Sequence, residues 1–123
     1  QKEDLGRALV ERYANRFFVA LDERPEADRL MAYCATYRAA LVGSDRICLC
    51  GMLGAESCGL PEGLNVSVKA FFRQNLDWLT DECGSAGRAA HILAAMQGAM
   101  MIAQAMGDYA LFDHVAADLI ART

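Results

Sequence analysis

β-Branched residues are scarce in this chain, 13 of 123, and proline occurs only as Pro25 and Pro61, whereas alanine occurs 22 times. No stretch alternates apolar and polar side chains over strand length, so a sheet protein is excluded and an all-α fold is expected. Basic charge is also short. Twelve Lys and Arg stand against 16 Asp and Glu, for a net charge of −4, and no basic stripe exists with which this chain itself would grip nucleic acid. Histidine is limited to His91 and His114, the first on an apolar helix expected to be buried and the second on a polar face, so no positioned base for a nucleophile appears. Five cysteines, an odd number in a chain long enough to build a core, do not read as a disulfide framework. They point instead to reduced thiols and a cytoplasmic setting. No apolar leader follows Gln1.

What is present is helical patterning. Leu5, Leu9, Tyr13, Phe17 and Leu21 recur every fourth residue and predict an amphipathic helix ending near Glu23. Pro25 suits the first position of a second helix, with Glu26 and Asp28 in its first turn and Leu30, Tyr33, Cys34, Tyr37 and Leu41 facing inward, stopped by Gly43. Ser44 or Asp45 can cap a short third helix from about Ile47 to Ser57. Pro61 and Glu62 open a fourth, with Leu64, Val68, Phe71, Phe72, Leu76 and Leu79 inward, Trp78 alongside and Asn75 on the same side. Ser85 and Gly107 bracket a fifth helix. Asp108 caps a sixth, in which Leu111, Phe112, Val115 and Leu119 face inward and His114, Asp118 and Arg122 face solvent.

The fifth helix stands out, because Ala89 to Met106 contains no charge. On a helical wheel Ile92, Ala95, Ala99, Ile102 and Met106 form one face, Ala94, Gly98, Met101 and Ala105 a second, and Leu93, Met96, Gln97, Met100 and Gln104 a third. A helix apolar all round must be covered on most sides. The rest of the chain is expected to be organised around it, with a second copy covering what one domain cannot, and the small residues of the second face allowing close approach across a twofold axis. A membrane span is the weaker reading, since the segment is rich in Ala, carries His91, Gln97 and Gln104, and lacks aromatic or basic flanks.

The order of these helices resembles the C-terminal half of a TetR/AcrR-family transcriptional regulator. Tyr13 to Leu21 is similar to the family's connecting helix; Cys48 to Glu56, reading Cys-Leu-Cys-Gly-Met-Leu-Gly-Ala-Glu, to its small-residue helix closing in Ala-Glu. Pro61-Glu62 running into Phe71-Phe72, and Leu93 to Ala103 followed by Gly107-Asp108 and Phe112, resemble the helices that come next. The resemblance covers residues 1–123 as one effector-binding and dimerisation domain, and implies a homodimer whose last two helices form a four-helix interface. Ile92, Ala95, Gly98, Ala99, Ile102, Met106, Phe112 and Val115 are the candidate interface residues. It further implies that operator DNA is read by a helix-turn-helix domain ahead of Gln1, and that the protein is a regulator, by expectation a repressor, rather than an enzyme. The link between Asp81 and Arg88 is shorter than in the family, which requires either a tight turn at Gly84 to Gly87 or a gap in the sequence.

The resemblance also implies a small-molecule effector pocket walled by the second to fifth helices. Tyr33, Tyr37, Met52, Phe71, Trp78, Met96 and Met100 offer apolar walls, with Glu56 and Asn75 as polar handles. Some family members sense oxidants through a thiol. Cys48 is the candidate here, in the first turn of its helix and near Arg46, where a thiolate is favoured. No cofactor or metal is implied: Cys48 and Cys50 point about 160° apart on a helix, and His114 with Asp118 reads as a solvated pair. Two other readings remain open, a thiol-based redox or electrophile sensor and a purely structural dimerisation module.

Overall fold

The computed structural model describes residues 2–44 and 62–123, and among them are five helices and no strand. They are α1 (Lys2–Glu23), α2 (Arg29–Ser44), α3 (Glu62–Cys83), α4 (Ala86–Met106) and α5 (Tyr109–Ala121). The helix expected from about Ile47 to Ser57, and with it Cys48, Met52 and Glu56, lies outside the described residues.

α4 carries the most extensive packing of the described helices, as expected of it, and the helix common to all the others is α2. It touches each of the other four described helices, while α1 packs on α3, α3 on α4, and α4 on α5. The reason is a second buried face. Leu30, Tyr33, Cys34, Tyr37 and Leu41 are buried as the spacing predicts, and Ala32 and Thr36 are buried beside them. Ala32 lets a neighbour approach closely, and the Thr36 hydroxyl donates to the Ala32 carbonyl at 2.8 Å, so its polar group is satisfied inside the core.

Pro25 does not start α2. It lies in an irregular link, and Asp28 is the cap, its Oδ1 accepting from the N–H groups of Leu30 at 3.0 Å and Met31 at 3.1 Å. Arg29 fixes the link in that shape by donating to the carbonyls of Leu21, Arg24 and Glu26. These bonds satisfy groups that a continuing helix would otherwise use. Arg24 in turn donates to the Ala35 carbonyl at 3.1 Å, tying the end of α1 to α2.

The other helix ends follow local sequence chemistry closely. The α3–α4 link is a tight turn in which Gly84 takes φ 73° and the Ser85 Oγ accepts from the Arg88 N–H at 3.1 Å. Gly107 closes α4 at φ 65°, donating to the carbonyls of Ala103 and Gln104, while the Asp108 N–H returns to the Ala103 carbonyl at 2.9 Å. Asp108 stands at the N-cap of α5 in extended backbone, but its carboxylate makes no capping hydrogen bond.

Two arginines fasten α5. Arg88 donates to the Leu119 carbonyl at 2.9 Å, and Arg38 on α2 grips Asp113 through both carboxylate oxygens, at 2.6 and 2.9 Å. The hydrogen bond from Arg38 holds the Asp113 carboxyl below its ordinary value, against a smaller opposing effect of burial. The pair's contribution is therefore present at neutral pH and lost as the pH falls through that lowered value. Both side chains are nearly half exposed. Arg38→Gln is expected to cost less than about 1 kcal/mol at pH 7, and the difference from the parent should vanish in strong acid. Urea midpoints measured across pH would check both parts.

Candidate functional site

Three helices bring polar groups together in the middle of the bundle. α2 contributes Tyr33 and Tyr37, one turn apart on one face; α3 contributes Phe71, Asn75 and Trp78; α4 contributes Met96, Gln97 and Met100. The hydroxyls of Tyr33 and Tyr37 both donate to Asn75 Oδ1, at 2.6 and 2.8 Å. The Asn75 amide nitrogen donates to the Phe71 carbonyl at 2.9 Å, and Gln97 donates to the Tyr37 hydroxyl at 3.1 Å. Asn75 is 0% exposed, so its three bonds are made away from water, where a missing partner would cost most, while the Gln97 bond is partly buried.

Aromatic rings surround this polar knot. Trp78 stacks on Tyr33 with centroids 5.3 Å apart, Tyr37 meets Tyr33 edge to face at 5.1 Å, and Phe17 from α1 lies 4.5 Å from Tyr37. Tyr33, Tyr37, Phe71, Met96 and Met100 are all buried to 1% exposure or less, and Trp78 is half-buried. Five of the nine residues expected to face an effector, Tyr33, Tyr37, Phe71, Asn75 and Trp78, therefore close on one another, Met96 and Met100 are buried in the same core, and Met52 and Glu56 lie outside the described residues. The residues the sequence did not single out are Gln97, which extends the knot to α4, and Phe17, which contributes a ring from α1. Gln97 could have been found, since an amide beside Met96 and Met100 in a charge-free helix needs a buried partner.

Cys34 sits beside this cluster, its Sγ 3.9 Å from the Met96 sulfur. Burial, reinforced by the charge of Asp28, pushes its pKa up to about 12. Such a thiol stays protonated and packs as an apolar group. Among the described residues, no group of three or more His, Cys, Asp and Glu is placed to hold a metal ion.

The candidate interface residues divide. Ile92, Ala99 and Phe112 are buried at 0, 3 and 1% exposure within their own chain, so they are core residues with almost no surface left for a second copy. Ala95, Gly98 and Val115 are half-buried, and Ile102 and Met106 are 47 and 66% exposed. Ala94, Met101 and Ala105 are exposed on the same helix, and a side chain at Gly98 would meet nothing within 4 Å. The bundle thus encloses one side of α4 and leaves the small-residue side open. His91 also lies on the exposed side rather than the buried one. Although α4 is long and apolar enough to cross a membrane by length and composition, seven of its residues are buried in this bundle.

The fold is similar to that of known regulators. A TetR-family transcriptional regulator from Agrobacterium tumefaciens matches with a TM-score of 0.89 at 28% identity, over 99% of this chain and 74% of its own. A TetR transcriptional regulator from Legionella pneumophila matches with a TM-score of 0.81 at 21% identity, over 97% of this chain and 72% of its own, a likeness of fold. No protein-family model and no curated protein matches the sequence. The resemblance to TetR-family regulators read from the sequence holds along essentially the whole chain, and the described residues are all-α, as expected.

Proposed function

We propose that this chain is the effector-binding and dimerising domain of a TetR-like transcriptional regulator, following a helix-turn-helix domain that reads operator DNA. The observation that carries this reading is the match along the full chain to a TetR-family transcriptional regulator. Dimerisation is supported by the open side of α4, where Met101, Ile102 and Met106 are exposed between alanines, and by α5, which exposes Ala110, Ala117 and Ala121. Monomeric proteins seldom leave such a face to water. The interface we assign comprises Ala95, Gly98, Ile102, Met106 and Val115, with Met101 added.

The effector site we assign is the cluster around Asn75. An effector acts there by binding one arrangement of α2, α3 and α4 better than another, which alters the relative placement of the two DNA-binding heads. Activity of this kind needs no catalytic group. The double variant Ile102→Asp with Met106→Asp is expected to keep its helical circular dichroism and sediment as a monomer at concentrations where the parent is dimeric. A monomeric parent would sink the dimer, and an effector that saturates the protein without changing operator affinity would sink the regulatory reading.

A further inference from the structure

A cavity lies at the end of the bundle, away from the Asn75 cluster. It has a volume of about 720 Å³ and is bounded by the start of α2, the α3–α4 turn and the end of α5. That volume is within the range of sites that hold small organic ligands, roughly 300 to 1,000 Å³. Its floor is apolar: Leu79 and Ile92 are 1 and 0% exposed, and Leu30 and Ile120 lie beside them. Its walls carry three arginines, Arg29, Arg88 and Arg122, against two carboxylates, Asp28 and Glu82.

The charges are not equivalent. Asp28 is spent on capping α2, where it accepts from two backbone N–H groups. Arg29 is committed to three backbone carbonyls and acts as a fixed positive wall. Arg88 gives one Nη2 proton to the Leu119 carbonyl, and Arg122 gives its Nε proton to Asp118. Each guanidinium has five donors in a planar fork, so Arg88 and Arg122 hold further donors at the cavity wall. Asp118 pairs with Arg122 at 2.8 Å and Glu82 stands exposed in the wall, so the pull on an anion comes from the directed donors of Arg88 and Arg122 above an apolar floor and not from a net positive charge.

We propose that this cavity binds a small amphipathic carboxylate, its anionic head between Arg88 and Arg122 and its apolar body on Leu30, Leu79, Ile92 and Ile120. Arginine forks match carboxylate geometry in two-point contacts. The proposal stands whether or not the Asn75 cluster takes an effector, because the two share no residue. A bound acid would touch α2, α3, α4 and α5 together.

Octanoate and its uncharged analogue octanol are the probes, titrated calorimetrically into the purified protein. Octanoate is expected to bind saturably and octanol at least about tenfold more weakly, the loss of one charge-assisted hydrogen bond. Arg122→Gln is the primary variant, since Arg122 is exposed and its substitution leaves the core untouched. It should weaken octanoate about tenfold with the thermal midpoint of the free protein unchanged. Cys83, in the cavity wall with its thiol donating to the Ser85 carbonyl at 3.5 Å, gives a local readout. Octanoate should slow its alkylation, followed by peptide mass spectrometry. Octanol binding as tightly as octanoate, an Arg122→Gln protein that binds like the parent, or Cys83 alkylation indifferent to saturating octanoate would each overturn the proposal.

Discussion

Asn75→Leu is expected to lower the stability of this domain by about 3 kcal/mol, because it removes the one oxygen to which two buried tyrosine hydroxyls donate, at roughly 1 to 3 kcal/mol for each. At this chain length the thermal midpoint should fall by on the order of 10 °C. Leucine has the branched skeleton of asparagine with bulkier ends, so the loss would come from the polar knot, with some crowding, and not from a cavity. The control is the triple variant Tyr33→Phe, Tyr37→Phe, Asn75→Leu, in which donors and acceptor go together. Replacing all partners by apolar groups of like shape is close to neutral, and most of the lost stability should return. A single variant as stable as the parent would show that the hydroxyls carry no weight through Asn75, and the case for a preorganised polar centre would fall with it.

Phe112→Ala should cost about 4 kcal/mol, the usual cost of emptying an aromatic site in a core. Phe112 is 1% exposed, and α5 has only 13 residues with which to hold itself against α4. The loss should appear in the folding of the single chain and be the same at protein concentrations below and above those at which the proposed dimer forms. That behaviour separates it from the Ile102 and Met106 substitutions, which should act on association and leave the fold alone. If Phe112→Ala weakened association while each subunit kept its stability, Phe112 would return to the interface from which its burial removes it.

These contrasts indicate which parts of the molecule are legible in the sequence. Helix ends written in one or two residues were readable, as at Ser85, Gly84 and Gly107, because a cap or a left-handed turn is a local event. Pro25 misled for the same reason: a proline favours a helix start, but Arg29, four residues on, captures the carbonyls around it and delays the helix to its own position. The inward residues of the Asn75 cluster were readable as a face, while their closure on Asn75 was not, since it depends on distances across three helices. The second buried face of α2 was hidden because Ala32 and Thr36 carry no strong hydrophobic signal. The cavity walled by Arg29, Arg88 and Arg122 was hidden by separation, its charges being drawn from opposite ends of the chain.

The place of α2 has a consequence for how the bundle comes apart. Without it, α1, α3, α4 and α5 would remain as a row in which each packs mainly on the next, and a row can peel from either end. With α2 common to all four, detaching any one of them strips part of the surface that holds the others. Cooperative units in proteins are groups of elements that cannot open separately, and here a single 16-residue helix makes the described bundle one such unit. A displacement of α2 is felt by each of the other described helices at once, so none of them is silent to it.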